Sequence, residues 1–88
     1  MHSKNKRPMT AQERRHVEKV RGLPCAVCKA HPPSEAHEIE QGLWFMSVPL
    51  CMECHRGPKN GIHGEKWAWR ATKMSETKAL NETLKRLF

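Results

Sequence analysis

No aspartate occurs anywhere in this 88-residue chain, and all nine acids are glutamate. That excludes EF-hand loops and every phosphatase or nuclease site built on a cluster of aspartates. A glycine-rich phosphate loop is missing as well. No apolar run approaches the ~18 residues of a membrane span, so the chain reads as soluble. The first twenty-one residues are charged throughout, with no apolar stretch before a small-residue cleavage site, so a secretory signal is not expected. Apolar residues are scarce at 38%. A core drawn from so few is marginal at this length, and one small domain held by some additional staple is expected. Four cysteines and six histidines make a metal the first candidate. Any metal chemistry must run on His, Cys and Glu.

Charge is distributed in blocks. Residues 1–21 carry seven basic and two acidic side chains, residues 22–55 one lysine and four glutamates, and residues 56–88 eight basic and three acidic side chains. Two cationic arms therefore flank a mildly acidic middle that holds all the cysteines. Such arms suit a polyanion, of which nucleic acid is the commonest, although solvated helix faces would give the same pattern. A membrane-surface helix fits less well, because neither arm pairs its cations with a broad apolar face.

Residues 1–9 read as a flexible basic N-terminus, and residues 10–88 as a single domain. Thr10 to Glu13 has capping-box spacing, which predicts a helix from Ala11 to Arg21 stopped by Gly22 and Pro24. Two short strands are expected over Glu35 to Ile39 and Leu43 to Val48, joined by a turn at Glu40-Gln-Gly42. A short helix beginning at Leu50 should carry Cys51, Cys54 and His55, and Gly57-Pro-Lys-Asn-Gly61 reads as a loop. Beyond it, Trp67, Ala71 and Met74 repeat as one buried helical stripe would. Ser75 is a plausible N-cap for a last helix whose stripe is Leu80, Leu84, Leu87 and Phe88.

The strongest signal is Cys25-x2-Cys28 followed, after twenty-two residues, by Cys51-x2-Cys54. Two CxxC pairs so spaced match a four-thiolate zinc site. Two disulfides are the rival, in any of three pairings, and a reducing compartment disfavours them. Zinc on four thiolates would lower the net charge of +7 to about +5. It would also be the missing staple, since its binding energy is folding energy. Knuckle, hairpin, then a helix bearing the second ligand pair is the order of a treble-clef finger. The expected fold class is thus small α+β, zinc-stapled, with flanking N- and C-terminal helices.

Among the histidines, His2 and His16 sit in the basic arm without an assigned role, and His31 lies in a proline loop. His37, His55 and His63 sit beside or just beyond the cysteine frame. They either fill a small interior or do chemistry. Here Cys25-x2-Cys28, Ala36-His-Glu-Ile39 and Leu50-Cys-x2-Cys54-His55 resemble the HNH endonucleases, whose fold is the ββα-metal finger. The stretch from Cys54-His-Arg-Gly57 through Gly61-Ile-His-Gly64 is similar to small HNH proteins of bacteriophages and prophages.

That resemblance implies a catalytic divalent ion, commonly Mg²⁺, Mn²⁺ or Ni²⁺, distinct from the structural zinc. It would stabilise charge on a phosphate oxygen and on the leaving 3′ oxygen while a histidine takes a proton from the attacking water. His55 matches the family's final metal-binding histidine. Where many members have His-His-Ile, this chain has His37-Glu38-Ile39. Either His37 is the ligand and Glu38 the base, or His37 is the base and Glu38 assists the metal. The middle Asn of the family pattern is absent between His37 and Cys51, and Asn60 comes too late to replace it. His63 is a further ligand or phosphate contact, or else a packing residue. Arg56, Lys59, Lys66 and Arg70 are expected to touch DNA phosphates rather than bases. Trp44 and Trp67 could stack on bases, but core packing is the safer reading. The expectation is a DNA endonuclease that nicks with low sequence specificity in the cytoplasm of a bacterial host. The alternative is a zinc-stapled DNA-binding module without catalysis.

Overall fold

A computed structural model describes residues 8–88; the expected flexible N-terminus, with His2, falls largely outside the described residues. Helix α1 spans Ala11–Arg21, strand β1 Glu35–Glu38, strand β2 Ser47–Leu50, and helices α2, α3 and α4 span Met52–Arg56, Trp67–Ala71 and Glu76–Leu87. This is a small α+β fold with one two-stranded antiparallel sheet. No helix among the described residues is long and apolar enough to cross a membrane.

Helix α1 starts where the sequence predicts. Thr10 Oγ1 accepts the Glu13 N–H at 3.0 Å, and the Glu13 carboxylate accepts the Thr10 N–H at 2.9 Å. This reciprocal pair satisfies two orphan donors of the first turn and stabilises the helix by about 1 kcal/mol. The inward face carries Val17 and Val20, and also His16.

The hairpin departs from expectation. β1 pairs with β2 in the register Glu35↔Leu50, Ala36↔Pro49, His37↔Val48 and Glu38↔Ser47. The second strand therefore starts at Ser47, not Leu43. Trp44–Met46 instead curls into a 3₁₀ turn, closed by Met46 N–H to Leu43 O at 2.9 Å and by Ser47 Oγ–H to Trp44 O at 2.7 Å. All four residues of β2 are buried, because α1 and α4 both pack against it. A strand buried at every position loses the alternation that marks a half-exposed one. The carbonyl of Pro49 accepts the Ala26 N–H at 2.8 Å, which ties the first CxxC segment to the strand.

The core joins Val27, Val48, Leu50, Trp69 and Ala79 to Cys25 and Cys54. The expected stripe through Trp67, Ala71 and Met74 does not form. Trp67 is 49% exposed while Trp69 is 2% exposed, its indole N–H donating to the Cys54 carbonyl at 2.9 Å. α3 lasts only five residues and ends before Lys73, whose φ of 55° breaks the helical period. In α4 the innermost positions are Ala79 and Thr83, with Leu80, Leu84 and Leu87 half-buried beside them; Phe88 is exposed and not part of the core.

Candidate metal centres

The two CxxC pairs meet. The sulfurs of Cys25, Cys28, Cys51 and Cys54 all lie within 4.8 Å of one another, and none is in a disulfide. Cys28 Sγ and Cys51 Sγ are 3.6 Å apart. A tetrahedral zinc with Zn–S bonds near 2.3 Å places its sulfurs roughly 3.8 Å apart, so the separation suits one shared ion. The backbone is arranged to support charged sulfur. Cys28 N–H points to Cys25 Sγ at 3.5 Å, and Cys54 N–H to Cys51 Sγ at 3.4 Å, with Cys51 as the N-cap of α2.

Burial resists a charge on Cys25, but hydrogen bonds from the backbone of Cys28, Cys51 and Val27 outweigh it and bring its thiol down to about 7. Burial and then the charge on Cys25 push the Cys54 thiol well above its ordinary range. One sulfur can thus ionise unaided and its neighbour cannot follow. A dication is what allows four thiolates to coexist in so small a volume. The donor set, spacing and backbone dipoles all fit zinc.

A second group stands beside the first. Nitrogens of His37, His55 and His63 also lie within 4.8 Å of one another, with ring centroids 5.0–5.2 Å apart. His37 is buried on β1, His55 is half-buried on α2 directly after Cys54, and His63 is exposed, so the group opens to solvent on one side. His63 arrives through a tight reversal in which its N–H reaches the His55 carbonyl at 3.3 Å. Only glycine permits that reversal at two positions: a Cβ on Gly61 would stand 2.6 Å from the Gly57 carbonyl oxygen, and one on Gly64 2.5 Å from it.

Carboxylates brace two of the three rings. Glu35 Oε1 accepts from His55 Nδ1 at 2.7 Å, and Glu76 Oε2 from His37 Nε2 at 2.7 Å. An ionised carboxylate only accepts, so each ring donates from that nitrogen, and a neutral ring so held has its lone pair on the other. This is the arrangement by which outer-shell acids orient metal-binding imidazoles. Arg56 holds Glu35 in turn, through Nε at 3.1 Å and Nη2 at 2.6 Å. Those bonds, opposed by partial burial and aided by His55, keep the Glu35 carboxyl below its ordinary range.

Several expected site residues lie elsewhere. Glu38 does not join the histidines: neighbours on a strand face opposite ways, and its carboxylate accepts the Gly42 N–H at 2.9 Å. Arg56 bonds Glu35 while its side chain stays 58% exposed, and Lys59 Nζ sits 5.4 Å from the centroid of the Trp67 ring. Asn60 Nδ2 donates to Glu53 Oε2 at 3.2 Å. Lys66 and Arg70 are exposed at α3. Two acids of the site were not foreseen. Glu35 could have been, since it lies two residues before His37 and shares its face of β1. Glu76 carries no local signal, being thirty-nine residues from its partner. Comparison with known proteins finds no family model, no curated protein and no solved structure that matches the chain.

Proposed function

We propose that this chain is a metal-dependent DNA endonuclease of HNH type, a treble-clef or ββα-metal finger in which a zinc-bound cysteine frame aims a second, histidine-held ion at a phosphodiester. The observation that carries the reading is the convergence of His37, His55 and His63, with carboxylate braces on two of them, next to the four cysteines. A histidine cluster that merely filled space would have no need of an open side or of acids that fix its tautomers.

In this reading His55 and His63 hold the ion, which would neutralise charge developing on the phosphate and the leaving oxygen. His55 presents Nε2, since Glu35 occupies Nδ1. His37 takes the proton of the attacking water on Nδ1, because Glu76 fixes the ring's own proton on Nε2. Imidazole suits the task, with an ordinary pKa of about 6.5 near working pH. A site of imidazole nitrogens prefers Ni²⁺ or Zn²⁺ to Mn²⁺ and Mg²⁺, which favour oxygen ligands. As the family likeness implies, such an enzyme would work in a bacterial cytoplasm from a phage or prophage gene.

One assay decides. Zinc-loaded protein is incubated with supercoiled plasmid and Ni²⁺, Mn²⁺ or Mg²⁺, beside a His55→Ala control. Nicking lost in His55→Ala supports the enzyme. Nicking equal in both proteins marks a contaminant and ends the reading. The rival, a DNA-binding module without catalysis, draws on the outward-facing Glu38 and the missing Asn; plasmid retention without nicking under every metal would favour it.

A further inference from the structure

We propose that the groove beside α3 is the track by which a DNA strand reaches the histidine cluster, its phosphates held by Lys66, Arg70 and Lys73. The inference rests on the nuclease reading for what happens at the end of the track, but binding along it is a separate property. The groove has a volume of about 440 Å³, a floor that includes Ile62 and Met74, and Glu76 in its wall. Glu76, which lines the groove, bonds His37 at 2.7 Å and so links the groove to the cluster through one side chain.

Charge points to a polyanion. None of the three cationic side chains has an ion pair or hydrogen bond among the described residues. Glu76, an acid lining the groove, bonds His37 and makes no ion pair with Lys66, Arg70 or Lys73. By contrast Arg56 and Lys59, cations nearer the cysteine frame, are occupied by Glu35 and by the Trp67 ring.

The backbone supplies an independent argument. Among the described residues, three other than glycine have left-handed φ, and all are lysines: Lys29 at 67°, Lys66 at 62° and Lys73 at 55°. A side chain disfavours that conformation, and glycine would adopt it freely. Lys29 has a local use for its side chain, since Nζ donates to the Ala26 carbonyl at 3.1 Å. Lys66 and Lys73 have none, yet they flank α3 at both ends of the groove. Strain kept at two positions with no internal contact to show for it indicates that the side chains serve something outside the chain. A phosphate backbone is the occupant that three unpaired cations along a shallow apolar floor fit.

The test is fluorescence anisotropy of labelled duplex and single-stranded DNA on zinc-loaded protein, with no second ion added, between 50 and 200 mM salt. The variants are Lys66→Gly/Arg70→Gln/Lys73→Gly, the two glycine changes alone, and Lys85→Gln/Arg86→Gln on α4 as a charge-loss control. Expected is a fall of the salt slope by about 2–3 in the triple variant, at about 0.7–0.9 per phosphate contact, with about 10²–10³-fold weaker binding at the lowest salt. The control should change far less. The glycine pair should melt no lower than wild type while binding more weakly. Equal loss in triple and control, an unchanged slope, a lower Tm in the glycine pair, or polyglutamate bound as tightly as DNA would each overturn the track. Binding through the groove by a protein that never nicks would leave the track and remove the nuclease reading.

Discussion

Cys54→Ala should unfold this protein, and the structure says why one sulfur matters so much. Cys54 is 2% exposed and supplies one of four sulfurs gathered within 4.8 Å. Its carbonyl also receives the Ile62 N–H and the Trp69 indole N–H, both at 2.9 Å, so the loop that delivers His63 and the largest core side chain hang on the same residue. A structural zinc in a small domain contributes about 10–16 kcal/mol near pH 7. Whole domains are stable by only about 5–15 kcal/mol. With a core of so few large apolar residues, loss of the ion leaves nothing comparable to hold the fold. Wild type should therefore carry about one zinc per chain, and Cys54→Ala or chelator-treated protein should lose both the far-UV helical signal and the buried-tryptophan fluorescence. Circular dichroism, emission spectra and elemental analysis on the same samples read all three. A metal-free protein that still melts cooperatively near the Tm of the zinc form would show that the cysteines are not the staple.

Glu35→Gln should leave the zinc content intact but weaken ion binding at the histidine cluster about 10–100-fold, measured by Ni²⁺ or Co²⁺ titration, because the His55 ring loses its brace. His37→Ala should abolish nicking while nearly preserving that ion affinity; a comparable loss of affinity would make His37 a ligand instead of the base. Trp69→Ala should destabilise by about 3–5 kcal/mol in chemical denaturation, since it empties a core site and strips a hydrogen bond from the Cys54 carbonyl. Burial, aided by the Lys19 charge and opposed by a hydrogen bond to the Phe45 backbone, lowers the pKa of His16. Its neutral form therefore stabilises the fold fully above pH 6.5, and that contribution fades as pH falls through the lower folded value. The Tm of wild type should drop more steeply below pH 6.5 than that of His16→Leu.

What could be read from the sequence was whatever depends on neighbours in the chain. The Thr10 to Glu13 cap, the two CxxC turns and the adjacency of Cys54 to His55 are local patterns, and each folds as its spacing implies. Where tertiary packing decides, the pattern misleads. Leu43-Trp44-Phe45-Met46 has the composition of a strand, yet Ser47–Leu50, packed against α1 and α4, pairs with β1 instead and leaves the aromatic run as a turn. Trp67 and Trp69 are equally apolar, and a five-residue helix is too short for periodicity to choose between them. Glu76 reaches His37 only because α4 packs against β2, which nothing near Ser75 announces.

The two candidate centres are built from the same short elements, and that ties the inner one to the outer one. On α2, Cys54 and His55 are consecutive, so their side chains diverge by about 100° around the helix and enter different clusters. On the hairpin, β1 carries Glu35 and His37 on one face, while β2 ends one residue before Cys51. Fixing the four sulfurs therefore fixes the azimuth of α2 and the height of β1, and with them the separation of the His55 and His37 rings, 5.1 Å between centroids. A five-residue helix lacks the length to hold such an orientation through its own hydrogen bonds. An ion held by the four cysteines would make so short a chain rigid enough to keep three imidazoles converged on one point.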